Sequence, residues 1–353
     1  MSRQTILISS LGESPAVVTE AIDKLEHEEG IQFTQVITLG TNENDVRIGA
    51  KILSEHIPTH YNKRNIVYLH QAIEATDVLS EKDNLDYLTL VAETLRAYRR
   101  YSDIYVSMAG GRKTMSALMA LAVQIYGAKL LCHVVHLLMD EHLQRKMEAT
   151  NLQRYPAEQA ALLHPSLEEL EIVRLPVVSL FPLLNDFLSA LGGQDIGALD
   201  KTARVLLEDT GLIEHEGSAW KVTKIGQQLH AVLSDIELLP EPSSTLPQQK
   251  AVDLKDHHGK DALHFHAERL RFFPYAERID STDFNSQFDR GRVFHSPYGR
   301  LLVEVKTGEP DVLIVTLADS QKGYRLAVRT KAQTAAQAER VKRELERFLR
   351  KQT

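Results

Sequence analysis

The sequence predicts three consecutive parts: an α/β unit built on a mainly parallel sheet, a segment of short helices with one hairpin, and a small α+β unit. Three observations support this division. Apolar runs alternate with helix-period segments over the first 140 residues, shorter helical segments follow, and four closely spaced apolar runs precede one long amphipathic segment at the end. A length of 353 residues agrees with two or three domains.

The first part contains five apolar runs that we expect to be strands. They are TILISSL, TQVITLGT, NIVYLHQ, DIYVSM and KLLCHVVHLL. Three helices lie among them: SPAVVTEAIDKLEHE, with Ser14 as its cap and Pro15 in its first turn, LVAETLRAYRRYS, and TMSALMALAVQIYG, which ends at Gly127. Apolar strands that alternate with helices indicate a parallel sheet covered on both faces, so this part is predicted to be Rossmann-like.

Three polar loops that contain glycine or small residues follow strands of this sheet: SSLGESP, GTNEND and MAGGRKTMS. The last loop, at residues 108–116, joins a buried strand to a helix, where backbone amides lack intrahelical partners and the helix dipole favours an anion. Because ligands of parallel sheets lie at the carboxyl ends of the strands, we expect a phosphate-bearing ligand there. Neither LGESP nor GGRKT has the glycine spacing of a dinucleotide-binding or P-loop motif, and plain tight turns are the alternative.

Charge and composition restrict the class of protein. The net charge is −7, but the chain from Asp256 onwards carries 18 Lys and Arg against 14 Asp and Glu, a net of +4, which leaves −11 upstream. The C-terminal third is therefore the part best suited to a polyanion. The N-terminal MSRQTILISS runs directly into a strand and no apolar window is long enough to span a bilayer, so we expect a cytoplasmic protein with no membrane partner. The single cysteine, Cys132, excludes an intrachain disulfide and is expected in the core.

Residues 176–238 have the pattern of a winged helix-turn-helix. Helices in PLLNDFLSALGG and DKTARVLLEDTG precede the hairpin-like EHEGSAWKV, whose turn contains Gly217, and a further helix follows. DKTARVLLEDTG, the helix that would enter DNA, carries two basic residues against three acidic ones, too few cations for a phosphate-dominated interface. We therefore expect a structural or dimerising role and no DNA partner. The Pro-, Ser- and Gln-rich LLPEPSSTLPQQ predicts a linker over residues 239–255.

The last part, residues 256–353, is predicted to be α+β. HHGKDALHFHAERLRFF starts it as a helix, RVFHSP, RLLVEVKT, DVLIVTLAD and YRLAVRT form an antiparallel meander, and AAQAERVKRELERFLRKQ is the C-terminal helix. Two nuclease patterns run through the meander. VEVK places Glu304 and Lys306 as in metal-dependent PD-(D/E)xK nucleases, with Asp289 as an earlier acid, but a strand follows it where that fold has a helix. RGRVFH has the arginine–histidine spacing of HEPN ribonucleases, but it lies on a strand and not in a helical bundle.

The loops LGESPAVVTE (residues 11–20) and AGGRKTMS (residues 109–116) together resemble those of the CARF domain, the CRISPR-associated Rossmann-fold sensor of type III effectors, over residues 1–175. The resemblance implies a homodimer that binds a cyclic oligoadenylate, expected to be cyclic tetra-adenylate, across its two-fold axis. A ring of phosphates suits backbone amides, hydroxyls and a few cations from paired loops. The residues that the resemblance places around this ligand are Ser9, Ser10, Gly12, Ser14, Thr19, Thr41, Asn42, Gly110, Gly111, Arg112, Lys113 and Thr114.

A second resemblance concerns residues 256–353. The helical start, the meander with SPYGRLLVEV on its second strand and the basic last helix resemble RelE-family mRNA interferases, which act on the ribosome. A CARF domain, a winged helix and a RelE-like domain in this order are typical of CRISPR-associated mRNA interferases. By strand position, the resemblance gives the family's arginine role to Arg300, whereas the likeness of GYRLAV to its strand-opening motif gives that role to Arg325. The catalytic residues implied are Arg300, Arg325, Lys322, Arg292, His295 and Tyr298.

These resemblances imply a ribonuclease that a cyclic oligoadenylate activates and that cleaves mRNA on the ribosome. In RelE-like cleavage the 2′-hydroxyl of the RNA attacks its own phosphate, so cationic and proton-transferring side chains suffice and we expect neither a metal nor another cofactor. The expected partners are the ribosome, mRNA and a second copy of the chain. Two alternatives stay open: a ligand-gated metal nuclease that uses Glu304 and Lys306, and a non-enzymatic CARF transcription regulator.

Overall fold

The computed structural model divides the chain into two compact units, Met1–Ile236 and Glu237–Thr353. It describes residues 3–193, 196–217, 219–254, 260–282, 294–296, 299–318 and 323–351. The predicted sheet part and the predicted helical segment thus lie in one unit, and the α+β part forms the other. No helix among the described residues is long and apolar enough to cross a membrane.

The first unit is built on a six-stranded sheet with the order β3-β2-β1-β4-β5-β6. Its strands are β1 (Gln4–Ser10), β2 (Gln35–Gly40), β3 (Val67–Ala72), β4 (Ser102–Ser107), β5 (Leu130–His136) and β6 (Leu170–Leu175). The helices around it are α1 (Ala16–Glu29), α2 (Asn44–His60), α3 (Glu81–Tyr98), α4 (Lys113–Tyr126), α5 (Glu141–Met147), α6 (Ala149–Arg154) and α7 (Pro156–Leu163). The five predicted strands are confirmed and are parallel; β6, which pairs antiparallel with β5, and α2 were not among the predicted elements.

The sheet is covered on both faces, which is why its strands read as continuous apolar runs. Ile6, Leu7 and Ile8 of β1 alternate between the two faces, and all three side chains are fully buried. On one face, Phe33 packs edge-on against Tyr105 of β4, with ring centroids 5.6 Å apart. Cys132 lies in the same cluster, as predicted, and burial raises the pKa of its thiol to about 12, so it is not a thiolate at neutral pH.

Strand order places the switch point of the sheet between β1 and β4. The chain proceeds from β1 outwards to β2 and β3, then returns to β4 on the other side of β1 and continues to β5. The loops that leave β1 and β4 therefore diverge, and a crevice opens between them at the carboxyl edge of the sheet. The predicted glycine loops are the loops at this crevice.

The remainder of the first unit consists of short helices and one hairpin. It contains α8 (Leu184–Leu191), α9 (Lys201–Asp209), β7 (Ile213–Glu216), β8 (Ala219–Val222) and α10 (Lys224–Glu237), with 3₁₀ turns at Phe181–Leu183 and Ile196–Ala198. Leu191, Leu207 and Ile213 form its small core. Lys224 and Gln228 of α10 contact Glu81, the first residue of α3, so this segment docks on the sheet part. The predicted helices and hairpin are present, and their assignment as a winged helix remains a prediction.

The second unit contains a sheet with the order β11-β12-β13-β14-β10-β9. Its elements are β9 (Ala251–Asp253), α11 (Lys260–Leu270), β10 (Arg278–Ser281), β11 (Phe294–Ser296), β12 (Gly299–Val305), β13 (Val312–Ala318), β14 (Gly323–Arg329) and α12 (Ala335–Lys351), with a 3₁₀ turn at Pro247–Gln249. The predicted antiparallel meander β11–β14 and the C-terminal helix are confirmed. Strands β9 and β10 were not predicted; β10 pairs antiparallel with β14, and β9 pairs parallel with β10.

The predicted linker is part of the second unit and not a free tether. Residues 251–253 of it form β9, and Ser243 donates its backbone N–H to Pro274 O at 2.9 Å. Lys250 is only 3 % exposed, and its Nζ donates to Phe273 O at 2.7 Å. The Pro-rich composition was interpreted as a linker, but the segment pairs with a sheet edge and buries a side chain in the unit.

Replacing Lys250 with Met is expected to remove a rise in stability between about pH 7 and pH 10. Burial lowers the pKa of Lys250 to about 7, whereas the unfolded chain keeps the ordinary value of 10.5. The unfolded state therefore binds more protons than the native state in this window, and native stability increases with pH across it. Urea unfolding of both proteins at several pH values measures the difference. Replacing the exposed Lys306 with Met is the control, and an identical pH dependence for wild type and K250M would contradict the burial argument.

Candidate ligand-binding site

A cavity of about 940 Å³ lies at the carboxyl edge of the first sheet. Three loops at strand ends reach it: Leu11–Ser14 after β1, Thr41–Asn44 after β2 and Ala109–Arg112 after β4. A fourth loop, which follows β3, also lines the cavity through Thr76 and Asp77. The cavity thus occupies the crevice that the switch point of the sheet creates.

The first and third of these loops touch through their backbones. A Cβ on Gly110 would lie 2.3 Å from Ser10 O, and a Cβ on Gly12 would lie 2.5 Å from Gly111 N. Gly111 also has a φ of 80°, a left-handed conformation that side chains rarely adopt. The glycines are therefore required by the close approach of two backbones, and this contact brings the starts of α1 and α4 to the same cavity.

Both helices begin without a side-chain cap. For α1 the flanking residue is Pro15 and for α4 it is Arg112, and neither offers a capping hydrogen bond within the described chain. The first amides of each helix are consequently available to a ligand, and the helix dipole adds positive potential at these ends. Ser14 Oγ lies beside them, buried and without a hydrogen-bond partner among the described residues. This wall of the cavity can accept an oxygen-rich anion.

Arg112 is held by an acidic residue. Its Nε and Nη2 donate to the two carboxylate oxygens of Asp77, and these hydrogen bonds hold the pKa of Asp77 below its ordinary value. The guanidinium remains 60 % exposed. A ligand phosphate at the α4 terminus would therefore compete with Asp77 for the same two donors.

The rest of the charged lining is acidic. Among the described residues that line the cavity, Arg112 is the one cation, against Glu13, Glu43, Asp77 and Glu148. The carboxylate of Glu43 is engaged, since it accepts the backbone N–H groups of Asp45 and Val46 at the start of α2. Glu13 and Glu148 present further acceptors to the cavity. A ligand that combines phosphates with hydrogen-bond donors fits this lining better than a bare polyphosphate does.

Half of the predicted ligand residues line this cavity, and half do not. Those that line it are Gly12, Ser14, Thr41, Gly110, Gly111 and Arg112. Asn42, Lys113 and Thr114 flank the loops without lining the cavity. Ser9, Ser10 and Thr19 are fully buried.

The three buried hydroxyls have structural partners. Ser10 Oγ accepts the N–H of Gly110 at 3.2 Å, so it fastens the two glycine loops to each other. Ser9 Oγ donates to Ser10 O, and Thr19 Oγ1 donates to Ala16 O at 3.0 Å and to Leu163 O. Their positions support the loops, and none of the three reaches the cavity wall.

Sequence reasoning missed Asp77, Glu43 and Glu148. The loop ATD at residues 75–77 follows the third predicted strand, so the rule that parallel strands end at one edge of a sheet could have included it. No comparable signal marks Glu148, which lies just before α6 and far along the chain from the other loops. Its position depends on how the helices after β5 pack beside the cavity.

In the second unit, strand register places several predicted catalytic residues on one face. His295 of β11 pairs with Arg300 of β12, which pairs with Ala318 of β13. Arg325 of β14 pairs with Thr316, two residues along β13 from Ala318, so it shares the face of Arg300. The alternating positions Leu301, Val303, Val315 and Leu326 form the buried face. Arg292, Tyr298 and Lys322, like Asp289, lie outside the described residues.

Glu304 of the VEVK motif also falls on the face of Arg300 and Arg325. Glu304 pairs with Ile314, and Lys306 is exposed and forms an ion pair with Glu309 at 2.6 Å. After β12 the chain turns directly into β13, so a strand follows this motif, as the sequence predicted. The two competing nuclease interpretations thus draw on the same sheet face.

Comparisons with known proteins give one family and a distant structural similarity. The family model described as CRISPR-associated protein NE0113 matches residues 14–208, from the first cavity loop to α9. A search of curated proteins found no match. Among solved structures, the chain is similar to Enterococcus italicus Csm6 bound to cyclic hexa-2′-fluoro-hexa-dAMP, with 17% identity and a TM-score of 0.34 over 67% of this chain. This chain spans 55% of the length of that chain, and a similarity at this level does not define a shared site.

Replacing Gly110 with Ala is expected to destabilise the first unit and disrupt the cavity. The new methyl group would meet Ser10 O, a backbone atom that cannot move without shifting β1, so overpacking should cost about 1 to 3 kcal/mol. Gly49→Ala is the matched control, because its Cβ would have neighbours no closer than 3.6 Å inside α2 and alanine favours the helix. Thermal unfolding compares the variants. A G110A midpoint equal to that of G49A would contradict the assigned backbone contact.

Proposed function

This chain belongs to the CRISPR-associated NE0113 family, and we propose that it is a ligand-gated accessory effector of a type III CRISPR system. In this proposal the first unit binds a cyclic oligoadenylate and the second unit cleaves RNA. The observation that carries it is the cavity at the switch point, where two glycine loops in backbone contact and two uncapped helix starts meet.

The cavity offers different partners to the phosphates of an oligoadenylate and to its hydrogen-bond donors. Phosphates are suited to the amides at the starts of α1 and α4, to Ser14 and to Arg112, which are among the polar donors of the wall. Adenine amino groups and ribose hydroxyls are hydrogen-bond donors and are suited to Glu13 and Glu148. The acidic lining thus favours a nucleotide over inorganic polyphosphate.

A symmetric dimer completes the proposed sensor. A cyclic oligoadenylate with an even number of units has a two-fold axis of its own, and a C2 homodimer presents each cavity loop twice around such an axis. Two copies of Arg112 and of the α4 start would then contact phosphates on opposite sides of the ring. This arrangement doubles the cationic donors and the acids together, so each half of the ring would meet the lining of one chain.

For the second unit we propose metal-independent cleavage of mRNA on the ribosome, as in RelE-like interferases. Support comes from the sheet register, since His295, Arg300 and Arg325 hold register positions on one face of the sheet. When a 2′-hydroxyl attacks its phosphate, negative charge builds on the phosphorane oxygens, and arginines can stabilise it with paired donors. A histidine on the same face can transfer a proton.

A second candidate chemistry uses the same face. Glu304 lies on β12, and Lys306 directly follows the end of this strand. A carboxylate and a lysine at this spacing could hold and assist a divalent cation in phosphodiester hydrolysis. The two mechanisms leave different products and differ in their need for metal, so one set of experiments separates them.

Arg112→Ala is expected to weaken cyclic oligoadenylate binding by about 10- to 100-fold, because it removes a charge-assisted phosphate contact. Asp77→Asn should have the opposite effect and strengthen binding several-fold, since it weakens the interaction that holds Arg112 in the free protein. Titration calorimetry with cyclic tetra-adenylate and cyclic hexa-adenylate measures both.

Arg174→Ala is the matched control for these two variants. Its guanidinium is also exposed and paired with acids, Glu28 and Glu29, but it lies on β6 and does not line the cavity. We expect its affinity to equal that of wild type. Unchanged affinity in all three variants would place the ligand elsewhere, and tighter binding in R112A would contradict the proposed role of Arg112.

Arg300→Ala and Arg325→Ala should each slow single-turnover RNA cleavage by about 10² to 10³-fold, the effect of losing one preorganised donor. Cleavage of mRNA is measured with and without 70S ribosomes and with each cyclic oligoadenylate. We expect products that end in a 2′,3′-cyclic phosphate, no effect of EDTA, and no cleavage when the attacking 2′-hydroxyl is replaced by hydrogen.

Arg278→Ala is the control for this series, since Arg278 is an exposed strand arginine of the same sheet that pairs with Asp280 and Asp253. Activity that requires a divalent cation, leaves 5′-phosphate ends and disappears in Glu304→Ala would overturn the RelE-like mechanism in favour of the metal nuclease. Oligoadenylate affinity should remain intact in every variant of the second unit.

A further inference from the structure

Three histidines converge on one point of the first unit, away from the cavity described above. His56 and His60 lie one turn apart on α2, and His164 directly follows α7. One ring nitrogen from each lies within 4.8 Å of the others. We propose that these residues, the His56–His60–His164 cluster, form a binding site for Zn²⁺ or a chemically similar divalent transition-metal ion.

The geometry of the cluster is close to that of a metal site. His56 Nε2 and His164 Nε2 are 2.8 Å apart, and the rings of His60 and His164 are stacked with centroids 3.7 Å apart. Zinc–nitrogen bonds of about 2.0 to 2.1 Å at tetrahedral angles separate two ligand nitrogens by about 3.3 Å. Side-chain shifts of about an ångström would therefore bring the three nitrogens around one ion. Histidines spaced i and i+4 on one helix face are a recurrent zinc-binding arrangement.

Asp23 orients the His164 ring through Nδ1, the ring nitrogen that does not face His56. Asp23 Oδ2, on α1, lies 2.5 Å from His164 Nδ1, and Asp23 Oδ1 accepts a hydrogen bond from the Tyr61 hydroxyl at 2.6 Å. Both carboxylate oxygens are engaged, so the carboxylate is fixed and in turn fixes the ring. Ligating histidines in zinc sites characteristically donate their second N–H to such a carboxylate. The side chains of Asp23 and His164 are 21 % and 13 % exposed, so this pair is largely shielded from water.

The hydrogen bonds of the cluster allow ring nitrogens to present lone pairs to a metal ion. With Nδ1–H of His164 directed to Asp23, Nε2 of a neutral His164 carries a lone pair. The contact of 2.8 Å to His56 Nε2 is then a hydrogen bond in which His56 Nε2–H donates. When an ion binds, the neutral His56 ring would carry its one hydrogen on Nδ1 instead, so its Nε2 lone pair would be available to the ion without net release of a proton. Both Nε2 lone pairs would then point at the ion.

The donor set determines the class of ion. Three imidazoles, with no oxygen ligand grouped with them among the residues that the structure describes, suit zinc and related transition ions, whereas Mg²⁺ and Ca²⁺ prefer oxygen ligands. His60 is exposed, so the fourth position of a tetrahedral ion would face solvent and be filled by water. A bound ion would connect α2 to the end of α7 directly and to α1 through Asp23. This proposal is independent of the oligoadenylate proposal, because none of the three histidines lines that cavity.

Metal binding to the full-length, tag-free protein tests the proposal. After dialysis against a chelator, titration with Zn²⁺ should show one equivalent bound per chain, and Co²⁺ should give the intense visible d–d bands of a tetrahedral site. We expect His60→Ala and His164→Ala each to weaken Zn²⁺ binding at least 100-fold. Asp23→Asn keeps all three ligands and should weaken binding about 10- to 100-fold while the Co²⁺ spectrum persists.

His142→Ala is the control, because it removes an exposed imidazole from α5 outside the cluster. Zn²⁺ should raise the thermal unfolding midpoint of wild type and of H142A but not that of H60A, whose side chain is exposed and whose loss leaves the core intact. Less than one equivalent of metal, Co²⁺ without tetrahedral bands, or equal Zn²⁺ affinity in wild type and H60A would each overturn the proposal.

Discussion

The backbone contact between two glycine loops at the switch point of the first sheet is the constraint on which the candidate site depends. Gly12 and Gly110 leave no space for a Cβ, so the loops after β1 and β4 approach until Ser10 Oγ accepts the N–H of Gly110. This approach brings the uncapped starts of α1 and α4 to one cavity. Because the sheet is buried on both faces, the loops have a rigid support, and a ligand can bind at positions that the fold has already set.

In the proposed site, charge balance would determine which ligands bind. A bare anion would meet the amides of two helix starts but would also face Glu13 and Glu148, whereas a nucleotide can offer donors to those carboxylates. Arg112 is neutralised by Asp77 until a stronger anion competes for it. The proposed site would therefore combine an attraction to phosphate with a penalty for ligands that lack hydrogen-bond donors, which is how polar sites discriminate between ligands of similar charge.

The second unit presents a different kind of surface. Its sheet buries Leu301, Val303 and Leu326 on one face, while the opposite face carries the register positions of Arg300, Arg325 and Glu304. Period-two alternation makes this division unavoidable once the strands pair, because a slip of one residue would expose the apolar set. The same alternation explains why two nuclease interpretations converge on one face: polar residues of either motif have nowhere else to lie.

The sequence by itself determined the parallel sheet, the glycine loops at its carboxyl edge and the antiparallel meander, because these follow from local periodicity and from backbone positions that only glycine fits. Composition predicted a linker over residues 239–255 and gave no sign that Lys250 within it is buried. Only the tertiary structure decided which loop residues line the cavity. It also decided that Asp77 pairs with Arg112 and that three histidines lie close together next to Asp23. Such contacts join side chains far apart in the chain, and their distances depend on how whole helices and strands pack, which no local pattern encodes.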